Sequence, residues 1–258
     1  IDGQGTTLTV AIDGVSVLTY TDSDPIANGG LSFESFNGQF WVDDMQVYIP
    51  ASMAPPADLV WVRTGGPLGG LGYDIRVHPS DANTLLVTDA FSGVFRSTNA
   101  GSDWVPANEG ITTRTGASGD AIPVFCLSFD PSNSQTLWTG TQDTRGIFKS
   151  TDGGSRWAQK DNGVVESNGI TFRGVAVDPN APQTIYAAAE LSSWVWAGEE
   201  RRGREFDMTQ GVVYKSTDGG ENWAAVWRGD NLARYVLINP QDSNQLYVST
   251  GIFDREAA

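Results

Sequence analysis

The run ELSSWVWAGEERRGREFDMTQ, residues 190–210, gathers Trp194 and Trp196, Glu199 and Glu200, and Arg201, Arg202 and Arg204 into one polar excursion. Flat indole rings stack on the C–H faces of sugars, and carboxylate and guanidinium groups hydrogen-bond hydroxyls, so this set suits a glycan platform. Trp194 and Trp196 stand two residues apart, which puts both rings on one side if the segment is extended. The other reading is that the two rings bury the base of a long hairpin or meet a neighbouring domain. Asp89, in TDAFSGVFRS, is a different kind of candidate: a carboxyl at the end of a strand, placed to move a proton. A glycosidase that inverts configuration needs two carboxyls roughly 6.5–9.5 Å apart. Asp89 can supply one of them. Phe91, Asp143 and Arg145 lie on loops expected to share a rim with Asp89 and complete the set of candidate ligand contacts.

The elements that must hold these residues repeat along the chain. Four opening strands end in similar words, YDIRVHP (73–79), VFCLSFDP (124–131), FRGVAVDP (172–179) and ARYVLINP (233–240). Each is followed by a polar turn and a second strand, NTLLVTD, QTLWTGT, QTIYAAA or NQLYVST. A third strand, GVFRST, GIFKST or GVVYKST, then runs into the phrase STNAGSDW (97–104), STDGGSRW (150–157) or STDGGENW (216–223). Pro79, Pro131, Pro179 and Pro240 are 52, 48 and 61 residues apart, which matches a four-stranded unit with insertions. Such units are propeller blades.

The eight-residue phrase is a turn built from its side chains. Asp152, Asp218 and, in the first copy, Asn99 accept hydrogen bonds from nearby amides, while Gly101, Gly154 and Gly220 permit positive φ. Ser97, Ser150 and Ser216 open the three copies, and Trp104, Trp157 and Trp223 close them where a fourth strand begins. A large ring there pins the turn to a sheet.

The phrase S-x-D-x-G-x-x-W between third and fourth strands resembles the Asp box, or bacterial neuraminidase repeat, of sialidases, sortilin-type domains, photosystem II stability factor-like proteins and xyloglucanases. The resemblance covers residues 61–258 and implies an all-β fold, a partial β-propeller of four-stranded antiparallel blades in which the boxes are structural turns away from the usual site. It implies about three and a half blades in residues 59–258, incomplete at the C-terminus, with the ring closed by further sequence or by another chain. Trp61-Val62-Arg63 resembles the fourth strand of a last blade. Asp89 falls where xyloglucanases carry a catalytic aspartate in the phrase rTDvGGaYR, although Ala90-Phe91-Ser92-Gly93 replaces the tight glycine pair. The resemblance places its acid partner in a later blade. The Arg-Ile-Pro phrase of sialidases is missing, and Arg76-Val77-His78 is a poor substitute.

Within residues 1–49, positions 6–49 read as four strands, TTLTVAID, VSVLTYTD, GLSFESFN and QFWVDDMQVYI, joined in pairs by Asp13-Gly14 and Asn37-Gly38. Their order resembles the C-terminal part of a concanavalin-like or laminin G-like β-sandwich (jelly roll). Asp43 and Asp44 read as calcium ligands or, the preferred reading, as the solvated side of a final strand. Residues 50–58, PASMAPPAD, read as a linker.

The chain has 16 basic and 31 acidic residues, a net charge of −15, which argues against a nucleic-acid partner. Cys126, the single cysteine, is expected to be a buried, inert thiol, and His78 a structural residue; neither supports a metal site, and no cofactor is expected. No apolar run reaches the roughly 20 residues of a membrane span. Acidity, few lysines and abundant Ser, Thr, Asn, Gly and Trp suit a secreted or cell-surface protein. The leading expectation is a multidomain surface protein whose propeller binds a polysaccharide or a surface protein, or serves assembly. The alternative is a xyloglucanase-type glycoside hydrolase acting on a β-glucan.

Overall fold

The computed structural model describes residues 2–4, 7–12, 15–21, 66, 72–200 and 209–250. The chain divides into two compact units, Ile1–Val62 and Arg63–Ala258. In the first, β1 (Asp2–Gln4), β2 (Thr7–Ile12) and β3 (Val15–Thr21) form one antiparallel sheet in the order β1-β2-β3. The β2–β3 pair runs as far as Ile12 opposite Val15. The expected strands over 30–49, the turn at Asn37-Gly38, Asp43 and Asp44, the 50–58 linker, Trp61-Val62-Arg63 and Arg201, Arg202 and Arg204 lie outside the described residues.

The second unit is a partial β-propeller. Its first sheet comprises β4 (Gly72–His78), β5 (Asp81–Asp89), β6 (Gly93–Ser97) and β7 (Val105–Pro106). The second comprises β8 (Val124–Asp130), β9 (Asn133–Thr141), β10 (Ile147–Ser150) and β11 (Ala158–Gln159). The third comprises β12 (Ile170–Val177), β13 (Ile185–Ser192), β14 (Thr209–Ser216) and β15 (Ala224–Gly229), with a five-residue helix, α1 (Ser193–Ala197), between β13 and β14. A hairpin of β16 (Ala233–Asn239) and β17 (Asp242–Thr250) follows. All pairings are antiparallel between strands consecutive in the chain, so each sheet is a meander. The opening strands β4, β8, β12 and β16 pack side by side, which puts them innermost. Among the described residues no helix is long and apolar enough to cross a membrane.

What spaces the blades is the repeated turn. In the second blade Ser150 Oγ donates to Asp152 Oδ1 at 2.9 Å, while the amides of Gly154 and Arg156 donate to Ser150 Oγ and Asp152 Oδ1, each at 2.9 Å. The third blade repeats this with Ser216, Asp218, Gly220 and Asn222 at 2.8, 2.9 and 2.9 Å. In the first, Asn99 takes the aspartate's place, accepting from Ser97 Oγ at 3.0 Å and from the Asp103 amide at 2.9 Å, and Gly101 N donates to Ser97 Oγ. Gly154 and Gly220 sit at φ of 84° and 89°, and each lies against the preceding blade. A Cβ on Gly154 would stand 2.5 Å from Leu86 Cδ2, and one on Gly220 only 2.1 Å from Trp138 Cη2. The turn therefore needs glycine twice over, for its φ and for the approach of its neighbour.

The tryptophans cross between blades. Trp157 Nε1 donates to Ala107 O at 2.9 Å and Trp223 Nε1 to Lys160 O at 2.7 Å, each carbonyl belonging to the segment that leaves the blade before. Their own amides donate to Glu109 O and Asn162 O, both at 2.8 Å. Trp157 and Trp223 are buried, and Trp138 meets Trp223 edge to face with centroids 6.1 Å apart. Trp104 differs: it is half-buried and its Nε1 turns back to Gly101 O in its own turn at 3.0 Å. Beside these ties an Arg156–Glu109 ion pair at 3.1 Å in one joint is matched by an Asn162–Asn222 amide pair at 2.6 Å in the next. Position is kept while chemistry changes.

Candidate functional site

Candidate chemistry lies on the rim opposite the boxes, where second strands end. Leu85, Leu137 and Ile185 pair with Ser97, Ser150 and Ser216, the serines that open the three turns. Four residues on from each, the same strand position is Asp89, Thr141 and Ala189. Asp89 Oδ1 accepts from the amides of Phe91 at 3.1 Å and Ser92 at 2.9 Å, and the residue is 3% exposed. Thr141 instead donates from Oγ1 to Thr144 O at 2.6 Å, and Ala189 has no polar side-chain atom. A carboxylate there caps the short turn of its own blade, yet two blades of the same register do without one. Phe91, at the tip of the Asp89 turn, is 62% exposed.

One blade along, Asp143 occupies the left-handed region at φ 56°. Its amide donates to Thr171 Oγ1 at 2.9 Å, and Gly169 N donates to its carbonyl at 3.0 Å. Burial raises its carboxyl above the ordinary aspartate value. Arg145 turns away from it, toward Asp161 at 3.6 Å and Val164 O at 3.4 Å. The two residues thus serve different neighbours.

The 190–210 excursion is not extended where the tryptophans lie. In α1 a spacing of two residues is a rotation of roughly 200°, so Trp194 and Trp196 leave on different sides. Trp194 is 47% exposed, whereas Trp196 packs against the core between the second and third blades. The expectation of a platform with both rings on one side is corrected: one indole faces solvent and the other fills the base. Gly198 ends the helix at φ 74°, leading into Glu199.

Further groups on this rim escaped the sequence reading. Tyr73 stacks on Phe125 with centroids 3.9 Å apart, and the Arg173 guanidinium lies over the other ring at 4.6 Å while pairing with Glu190 at 2.6 Å. Each of Tyr73, Phe125 and Arg173 stands six residues before its proline, at 79, 131 and 179, a spacing that could have revealed them. Tyr214 donates to Glu166, which also pairs with Arg228 at 2.7 Å; burial and that glutamate push the phenol up to about 12. The inner strands line an open cavity of 820 Å³ whose walls include Asp74, Arg76, Arg173 and Tyr235. Asp74 Oδ2 accepts from Leu127 N at 2.9 Å, and Arg76 Nε donates to Leu127 O at 2.9 Å, so two side chains satisfy the inner edge of β8. Cys126 is buried, and its thiol is pushed up to about 12 by desolvation. Among the described residues no group of His, Cys, Asp and Glu is placed to hold a metal.

No family model matches the chain. It is 27% identical over 164 residues to a probable oligoxyloglucan-reducing end-specific xyloglucanase of Neosartorya fischeri, covering 59% of this chain and 17% of that protein. It is 26% identical over 196 residues to a xyloglucanase of Hypocrea jecorina, covering 71% of this chain and 20% of that one. The chain therefore spans about a fifth of the length of these curated relatives. Among solved structures, an ancestral GH74 enzyme matches with a TM-score of 0.51 and 24% identity over 70% of this chain and 22% of its own. Sequence relatives named as xyloglucanases and a matching GH74 fold accompany a chain whose own architecture is a partial β-propeller.

Proposed function

We propose that this chain supplies blades of a secreted or cell-surface glycoside hydrolase acting on a β-glucan, with Asp89 as one of its two carboxyls. The observation that carries the reading is the carboxylate at a register position where the other two blades have Thr141 and Ala189. A side chain that the fold does not demand is one that chemistry can claim. The names of the two fungal relatives make a β-glucan such as xyloglucan the first substrate to try. In an inverting mechanism one carboxyl protonates the glycosidic oxygen while the other takes a proton from the attacking water. Asp89 fills one role, and the second carboxyl comes from another part of the complete protein. The amides of Phe91 and Ser92 fix the orientation of its Oδ1.

A second reading is binding of a glycan or surface protein, or assembly, without cleavage. The 3% exposure of Asp89 and its engagement in its own turn favour it. The two part on Asp89→Asn in the full chain, assayed against xyloglucan and other soluble β-glucans. A hydrolase loses about 10²–10⁴ in turnover, the range of acid–base catalysis, with polysaccharide affinity nearly intact. Undiminished hydrolysis by a folded Asp89→Asn protein removes the residue from the mechanism. Binding by the wild type with no turnover on any substrate selects the second reading.

A further inference from the structure

Between the second and third blades the rim is laced together around Gly169. Asp143 O accepts from Gly169 N at 3.0 Å, Gly169 O accepts from Ser192 N at 2.8 Å, and Ser167 O accepts from Arg145 N at 3.1 Å. Gly169 has φ 65°, and a Cβ there would stand 2.3 Å from Ser192 Oγ, 2.5 Å from Val195 Cγ2 and 2.9 Å from Trp194 Cζ2. The indole of Trp194 therefore lies against a residue with no side chain, and the amide of that same residue donates to the Asp143 carbonyl. Trp194 keeps 47% of its surface exposed. Among the described residues none donates a hydrogen bond to the Asp143 carboxylate, while its backbone is held at both ends by Thr171 and Gly169.

We infer that Trp194 and Asp143, flanking Gly169, form a subsite for one pyranose unit of a neutral oligosaccharide. The exposed indole takes the C–H face of the ring, and the carboxylate accepts hydrogen bonds from adjacent hydroxyls. A positive-φ aspartate held by its neighbours, with no carboxylate hydrogen bond among the described residues, has the kind of backbone strain that binding sites show. The net charge of −15 makes an anionic sugar a poor occupant. The inference rests on the carbohydrate reading above but not on catalysis, because neither residue belongs to the Asp89 turn.

The test is calorimetric titration of the full chain with xyloglucan oligosaccharides and cellohexaose, with hydrolysis followed in parallel. Trp194→Ala should weaken affinity about tenfold, equivalent to 1.4 kcal/mol, and Trp194→Phe should recover most of it because a smaller aromatic face remains. Asp143→Asn should weaken it about threefold. Unchanged affinity and KM in folded Trp194→Ala and Asp143→Asn proteins that still hydrolyse xyloglucan would remove the subsite and leave the hydrolase standing. Binding that depends on Trp194 without any turnover would retain the subsite and remove the hydrolase. Absence of both binding and turnover in the wild type overturns the two together. If Trp194→Ala does not fold, Trp194→Phe and Asp143→Asn decide, and no loss in either overturns the subsite.

Discussion

The two rims of the propeller are built on opposite rules. On the box rim, three turns place equivalent atoms at nearly equal distances, and the serine-to-glycine-amide bond is 2.9 Å in each. On the other rim, three equivalent strand positions carry Asp89, Thr141 and Ala189, and the strands lead into a tight turn, a positive-φ aspartate and a short helix. Repetition marks positions whose task is to hold neighbouring blades in place. Divergence on an identical scaffold marks positions released from that task. The site is therefore sought where the repeat breaks down.

The largest expected effect tests the box rim. Trp157→Ala or Trp223→Ala removes a buried ring and a bond that crosses between blades, and should cost about 3–5 kcal/mol in denaturant unfolding. Trp104→Ala should cost less, about 1–2 kcal/mol, since Trp104 is half-buried and bonded within its own turn. Equal costs at all three would dissolve the distinction between a ring that joins blades and one that does not. Next comes Gly163→Ala. Gly163 has φ 95°, and a Cβ would meet Trp223 O at 2.1 Å. The substitution should cost at least the ~1–2 kcal/mol of a left-handed alanine, read as a lowered melting temperature.

Acid sharpens the comparison further. Asp218 is held at about 2, first by the Asn222 side-chain amide, then by the Asn222 backbone amide and the Ser216 hydroxyl. Asp152 is pushed up by burial, but the Arg156 amide, Ser150 hydroxyl and Ser155 amide together outweigh this and lower it. A carboxyl lowered from an unfolded value of 3.8 contributes its stability fully above that value and loses it as pH falls. The second and third boxes should therefore weaken between about pH 4 and about pH 2, while Asn99 in the first does not titrate. An Asp152→Asn, Asp218→Asn double variant should flatten the acid-unfolding curve in that window; an unaltered curve would deny these carboxylates their role. The smallest effect belongs to the other rim. Asp143→Asn should change stability by no more than about 0.5 kcal/mol, since asparagine tolerates the left-handed region and no bond is lost. A large loss would make Asp143 a structural residue like those of the boxes.

The box was legible because every position in it has a local job that few residue types can do. Gly154 must take a positive φ, Asp152 must reach its own amides, and Trp157 must supply a large ring with a donor. The opening strands were legible from their recurring prolines. β1 was missed because Asp2-Gly3-Gln4 has neither periodicity nor β-branched residues, and is a strand only through its pairing with Thr7, Leu8 and Thr9. The helix at Ser193–Ala197 was missed because SWVWA alternates in a way that also suits a strand, and one turn of helix leaves no period to read. The positions of Tyr73, Phe125 and Arg173 share a spacing from their prolines, but that their side chains stack depends on contacts between blades, which a local pattern does not encode. Asp89 was singled out through its phrase, but its engagement with the amides of Phe91 and Ser92 is a matter of backbone geometry.

The direction of the tryptophan bonds has a consequence for synthesis. Ala107 and Lys160, whose carbonyls receive the indoles, precede Trp157 and Trp223 in the chain. On a ribosome the acceptor is made before the donor, so each new blade emerges with its docking partner already waiting. The same arrangement makes a blade transferable in gene duplication, because a copied unit brings its own indole and finds the backbone carbonyl that any predecessor of the same kind presents.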